Sequence, residues 1–136
     1  MFKFLHAADI HLDSPLHGLD KYEGAPVDKI RGATRSAFCK LVALAISERV
    51  DFVVLSGDIY DGNWRDYNTG LFFVNELRKL DQAGIPVFLL AGNHDAESQI
   101  TLHLTYPSNT RKLATDRPET IKFDRLHVAI HGQGFA

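Results

Sequence analysis

The sequence predicts an α/β fold built on parallel strands. Three short apolar runs each end abruptly in a polar cluster, and two stretches of helical period separate them. Buried strands joined by helical crossovers lie parallel. Crossovers of one hand then bring the three strand C-termini to a single sheet edge, which is where ligands bind in open α/β sheets.

The first run, residues 2–8, stops at Asp9 and reads as a strand. Residues 12–26 are rich in glycine and proline and predict a long loop. From Val27 onward, Ile30, Ala33, Ala37, Leu41, Leu44 and Ala45 recur at steps of three and four, which predicts a helix with that stripe on the core. Asp28 suits its first turn. Phe52-Val53-Val54-Leu55 is apolar throughout, the pattern of a strand buried on both faces, and it gives way to Ser56-Gly57-Asp58. Residues 59–68 form a second loop that contains the single tryptophan, Trp64. Residues 71–80 predict a helix with Phe73, Leu77 and Leu80 on one side and Gly84 as its stop. Residues 87–91 are the third buried run, ending at Gly92-Asn93-His94-Asp95. Residues 120–123 and 127–130 fit two further strands joined at Asp124-Arg125.

Composition narrows the function classes. A hydrophobic share of 45% with 24% charged residues is ordinary for a globular chain and argues against disorder. With 15 Lys plus Arg against 17 Asp plus Glu, the chain lacks the basic excess that phosphate neutralisation alone would use to hold nucleic acid. One cysteine, Cys39, excludes an intramolecular disulfide framework and a Cys-rich zinc site, which fits a reducing cytoplasm. No apolar run approaches the length of a membrane span and no secretion signal is evident, so a cytoplasmic protein with no membrane association is expected.

The three strand ends carry Asp9-Ile10-His11, Gly57-Asp58 and Gly92-Asn93-His94-Asp95. In an extended segment, Asp9 and His11 share a side and grip one object together. Glycines at 57 and 92 let the backbone approach whatever sits above the sheet. Carboxylates, an imidazole and a carboxamide make a mixed oxygen and nitrogen set, which suits manganese, iron or zinc better than calcium. No GxxxxGK[ST] loop is present, so a nucleotide-fuelled ATPase has no support. Each cluster alone also serves as an ordinary capped turn. Their joint occurrence at three strand ends is what points to a metal.

These blocks resemble the first three signature blocks of the calcineurin-like metallophosphoesterases. Residues 6–15 (His-Ala-Ala-Asp-Ile-His-Leu-Asp-Ser-Pro) and 56–64 (Ser-Gly-Asp-Ile-Tyr-Asp-Gly-Asn-Trp) resemble the bacterial DNA-repair exonuclease branch, that of the SbcD and YhaO-type nucleases. The resemblance implies the start of an αββα sandwich and a site for two divalent ions, manganese first, with iron or zinc as alternatives. It implies Asp9 and His11 on the first ion, Asp58 bridging both, and Asn93 on the second. His94 is implied as proton donor to the leaving oxygen, with Asp95 orienting it. The implied activity is hydrolysis of DNA phosphodiesters by two-metal activation of water, acting on DNA ends delivered by an SMC-like ATPase partner. The blocks handle phosphate and metal rather than the leaving group, so a small phosphoester, a phosphoprotein, or a non-catalytic metal-binding module stays open.

The later histidine blocks of the family, including a Gly-His-x-His, have no recognisable counterpart. Residues 1–136 are therefore expected to be the N-terminal part of a catalytic domain, with an under-liganded second ion and any cap domain absent. One sheet face is expected to stay uncovered, favouring homo-oligomers. His131 is read as packed or solvated rather than as a ligand, His6 as a packed core residue, and His17, His103 and His127 as loop or surface groups. Cys39 is read as a small buried group. Asp13 and Asp61 serve either as hydrogen-bonding supports for the ligands or as loop caps. Trp64 and Tyr67 anchor their loop or stack on a base. Arg111, Lys112, Arg117, Lys122 and Arg125 read as a solvated basic face.

Overall fold

A computed structural model describes residues 1–14, 26–61, 67–96 and 104–136. The expectations for Trp64, His17, His103 and the glycine- and proline-rich loop at 15–25 lie outside the described residues. Four strands, β1 (Phe4–Ala7), β2 (Phe52–Ser56), β3 (Val87–Leu90) and β4 (Thr110–Lys112), form one sheet in sequence order. All three pairings are parallel, with Phe4 opposite Phe52, Val53 opposite Val87, and Val87 opposite Thr110. Helix α1 (Val27–Ser47) lies between β1 and β2 in the chain, and α2 (Tyr67–Gln82) between β2 and β3. A single turn, α3 (Asn93–Ala96), follows β3. β5 (Glu119–Phe123) and β6 (Val128–Gly132) make the antiparallel hairpin that the sequence suggested, joined by a 3-10 turn at Asp124–Leu126.

Alternation along the strands places an apolar layer on each face of the sheet. On one face Phe38, Val42 and Ala45 of α1 and Phe73, Leu77 and Leu80 of α2 pack with Val53, Leu55, Val87 and Leu89. On the other, Phe52, Phe88 and Leu113 pack against Ile121, Phe123, Val128 and Ile130 of the hairpin. The expectation of an uncovered second face is thus corrected in part: the hairpin covers its centre. Phe2 and Phe4 remain 40% and 50% exposed at the β1 edge, stacked on Phe52 at 6.0 and 5.1 Å.

The core stripe of α1 departs from the expected one only in part: Ala45 is buried and Leu41 packs against the core as expected. Phe38, Val42 and Ala45 are buried, whereas Leu44 is 52% exposed and Ala33 and Ala37 face solvent. Burial scales with apolar area, so one phenylalanine outweighs two alanines in setting which side turns inward. α2 begins four residues before its apolar pattern and stops as expected at Gly84, whose φ is +69°. There the Gly84 N–H donates to the Asp81 carbonyl and the Ile85 N–H to that of Leu80, both at 2.9 Å. β4 was not expected, because Thr-Arg-Lys carries no apolar signal. No helix among the described residues is long and apolar enough to cross a membrane.

Candidate metal centre

The parallel ladder carries the three polar clusters to one edge. Beyond β1 the chain keeps running beside the loop after β2: the Asp9 N–H donates to the Gly57 carbonyl (3.2 Å), His11 to Asp58 (3.0 Å) and Leu12 to Ile59 (2.8 Å). Asp9 and His11 do not lie in the extended segment that the sequence predicts. Both take a positive φ, 53° and 46°, as does Asp58 at 50°. Asp and His tolerate this region better than most residues with a Cβ.

One donor atom from each of Asp9, His11 and Asp58 lies within 4.8 Å of the others. Two glycines make this approach feasible. A Cβ on Gly57 would sit 2.8 Å from the Gly92 Cα, and one on Gly92 would overlap the Asp58 carboxylate. The loops after β2 and β3 therefore touch backbone to backbone. Two carboxylates and an imidazole converging this closely are a donor set matched to a divalent cation of intermediate softness.

The remaining expected residues follow β3, beside Asp58. His94 donates its backbone N–H to Asp58 Oδ1 at 3.2 Å, and its ring lies 5.7 Å from the His11 ring, edge-on. Asn93 is exposed and lines a cleft of about 440 Å³ with Gly57, Asp58, Gly92 and Phe135. Asp95 is 3% exposed and has a task that the sequence reading did not include. Its Oδ1 accepts the N–H groups of Ile59 (2.9 Å) and Tyr60 (3.0 Å), and its Oδ2 that of Gly92 (2.9 Å). It thereby ties the β2 and β3 loops together. Burial pushes the Asp95 carboxyl above its usual range, the three N–H donors pull it back, and the Asp58 charge adds to the rise.

Asp61 is, with Asp13, one of two residues whose role the sequence leaves open. Its Oδ1 engages the Nδ1 of His11. Burial raises the Asp61 carboxyl, but hydrogen bonds from Ser14 and His11 and the proximity of His94 outweigh it and hold the group below the ordinary value. The only hint in the sequence was its place three residues after Asp58.

His6, read as a core residue, is exposed, with Nε2 2.9 Å from the Ser56 hydroxyl. On β1, Leu5 and Ala7 face the helices, so His6 points to the opposite face, at the β1 edge that the hairpin leaves exposed. His131 is exposed, and its Nδ1 lies 2.9 Å from Thr120 Oγ1 on the hairpin. Cys39 is half-buried, and burial pushes its thiol up. The five basic residues from Arg111 to Arg125 are exposed.

A family model described as Calcineurin-like phosphoesterase matches residues 2–133. The chain is 32% identical over 120 residues to the uncharacterized metallophosphoesterase YhaO of Bacillus subtilis, covering 88% of this chain and 29% of that protein. It is 32% identical over 99 residues to the DNA double-strand break repair protein Mre11 of Sulfurisphaera tokodaii, covering 73% of this chain and 24% of that protein. Among solved structures, a dimetal phosphatase from Danio rerio superposes with a TM-score of 0.48 at 23% identity, over 69% of this chain and 30% of that one. The chain spans less than a third of the length of these curated relatives.

Proposed function

Because the chain belongs to the calcineurin-like phosphoesterase family, we propose that it is the N-terminal part of a metal-dependent phosphodiester hydrolase that acts on DNA ends as a repair exonuclease. The observation that carries this reading is the convergence of Asp9, His11 and Asp58 at one sheet edge. The Mre11 relatives, named as DNA double-strand break repair proteins, support the choice of substrate.

In this reading Asp9, His11, Asp58 and Asn93 hold two divalent ions, manganese first and iron or zinc as alternatives. Such ions, when bound, polarise phosphoryl oxygens and lower the pKa of water. With Nδ1 of His11 engaged by Asp61, its Nε2 is the nitrogen left for a cation. Asp58 spends one lone pair on the His94 N–H and keeps others for ligation. The His94 imidazole gives its proton to the leaving oxygen, and Asp95 keeps Asn93 and His94 in register with Asp58 by fastening the two loops. An SMC-like ATPase subunit is the proposed partner, and the cytoplasm the proposed compartment.

The test is hydrolysis of bis-(p-nitrophenyl) phosphate against the corresponding monoester in manganese, followed by a DNA duplex with free ends. Faster cleavage of the diester and shortening of the duplex are expected. Preference for the monoester with an intact duplex would assign a small-molecule or phosphoprotein substrate instead.

A further inference from the structure

Asp13 stands two residues beyond His11 and is the third residue with positive φ in one loop: 53° at Asp9, 46° at His11 and 55° at Asp13. Residues with a Cβ disfavour this region, so three such angles in five positions persist only where the surroundings over-determine them. The tether is visible. The Asp13 N–H donates to Thr34 Oγ1 at 3.2 Å. Arg35 Nε reaches the two carboxylate oxygens at 2.8 and 2.9 Å, its Nη2 closes on Oδ2, and Thr69 Oγ1 donates to Oδ2 at 2.6 Å. Thr34 and Arg35 belong to α1 and Thr69 to α2. The Arg35 guanidinium itself lies 4.9 Å over the Phe72 ring of α2. Leu12, between His11 and Asp13, is fully buried.

We infer that Asp13 is a positioning residue for the metal centre: through its carboxylate both helices hold the loop so that Asp9 and His11 stay on Asp58. This rests on the metal reading of those three residues proposed above. Fold stability alone does not account for the clamp. α1 and α2 already pack through Phe38 and Phe73 and through the shared core, and a buried ion pair contributes little net stability over apolar groups of the same volume. What a forked guanidinium–carboxylate pair adds is direction.

The experiment titrates Mn²⁺ into the intact chain and into Asp13→Asn, following the free and bound ion by electron paramagnetic resonance, with thermal unfolding recorded in parallel. Asparagine keeps the volume and one acceptor but loses the charge that fixes Arg35. Mn²⁺ affinity is expected to fall about tenfold, the low end for groups that orient metal ligands, with a changed bound-ion spectrum. Thr69→Val, which leaves the Arg35 pair in place, should lose less. Affinity within about twofold of the unaltered chain, at a temperature where Asp13→Asn is folded, overturns the inference and leaves Asp13 as a fold anchor. Should Asp13→Asn fail to fold, Thr69→Val and Arg35→Lys carry the same comparison. If the unaltered chain binds no Mn²⁺, the metal reading itself fails and takes this inference with it.

Discussion

The Asp61 carboxylate engages Nδ1 of His11 across a sequence separation of 50 residues. The contact occupies Nδ1, one of the two ring nitrogens that His11 offers to the cluster with Asp9 and Asp58. Asp61 reaches it because the His11 and Leu12 N–H groups pair with the Asp58 and Ile59 carbonyls, which draws the two loops side by side.

Asp61→Ala is therefore expected to weaken Mn²⁺ binding about 10- to 100-fold. The fold should survive, since both side chains are partly exposed and such pairs add little stability. Calorimetric titration checks this, and unchanged affinity would show that His11 is oriented by its backbone alone.

His94 and Asp58 are separable by the same titration. Only the backbone N–H of His94 is bonded to Asp58, so His94→Ala keeps that bond. Its Mn²⁺ affinity should stay near the unaltered value while diester hydrolysis slows about 10²- to 10⁴-fold, the usual share of a general acid. Asp58→Asn should lose affinity and turnover together. Loss of metal by His94→Ala would make His94 a ligand.

How much of this was legible follows from the range of the forces involved. Parallel β1, β2 and β3 and the residue types at their ends were readable because apolar runs and their polar stops are local. The positive φ of Asp9, His11 and Asp58 was not, because it is imposed by hydrogen bonds between loops distant in sequence. The clamp made by Asp95 was hidden for the same reason: its three N–H donors come from two different loops. The partial departure of the α1 stripe had a local cause that periodicity ignores, the unequal area of Phe38 and the alanines. His6 was misplaced because alternation assigns faces of a strand but does not say which face is covered.

Gly92 tests the close approach of the loops. A methyl there would overlap the Asp58 carboxylate and stand 2.5 Å from its backbone nitrogen. Gly92→Ala is expected to cost about 1–3 kcal/mol of stability, as overpacking does, and to weaken Mn²⁺ binding. Gly32, exposed in α1 with nothing within 4 Å of an added methyl, is the control. Gly32→Ala should stabilise by about 0.5–1 kcal/mol. Denaturant midpoints that move alike for the two variants would contradict the close packing of Asp58 on Gly92.

The hairpin that covers the second sheet face is held at its start by Glu119, and acid should loosen that hold. Its carboxylate accepts the Ala114 N–H at 2.7 Å and the Arg111 guanidinium at 3.0 Å, and these donors, the backbone one first, hold its pKa below the ordinary 4.5. A carboxyl whose folded pKa is depressed contributes stability that is present above the unfolded value and lost as pH falls through the folded one. Glutamine still accepts the Ala114 N–H but carries no charge for Arg111. At neutral pH, Glu119→Gln should therefore unfold at lower denaturant than the unaltered chain. Below about pH 4.5 the two midpoints should converge, because protonation removes the same charge from the glutamate. A gap that stays constant from neutral pH into acid would mean that the charge of Glu119 plays no part in holding the hairpin against β4.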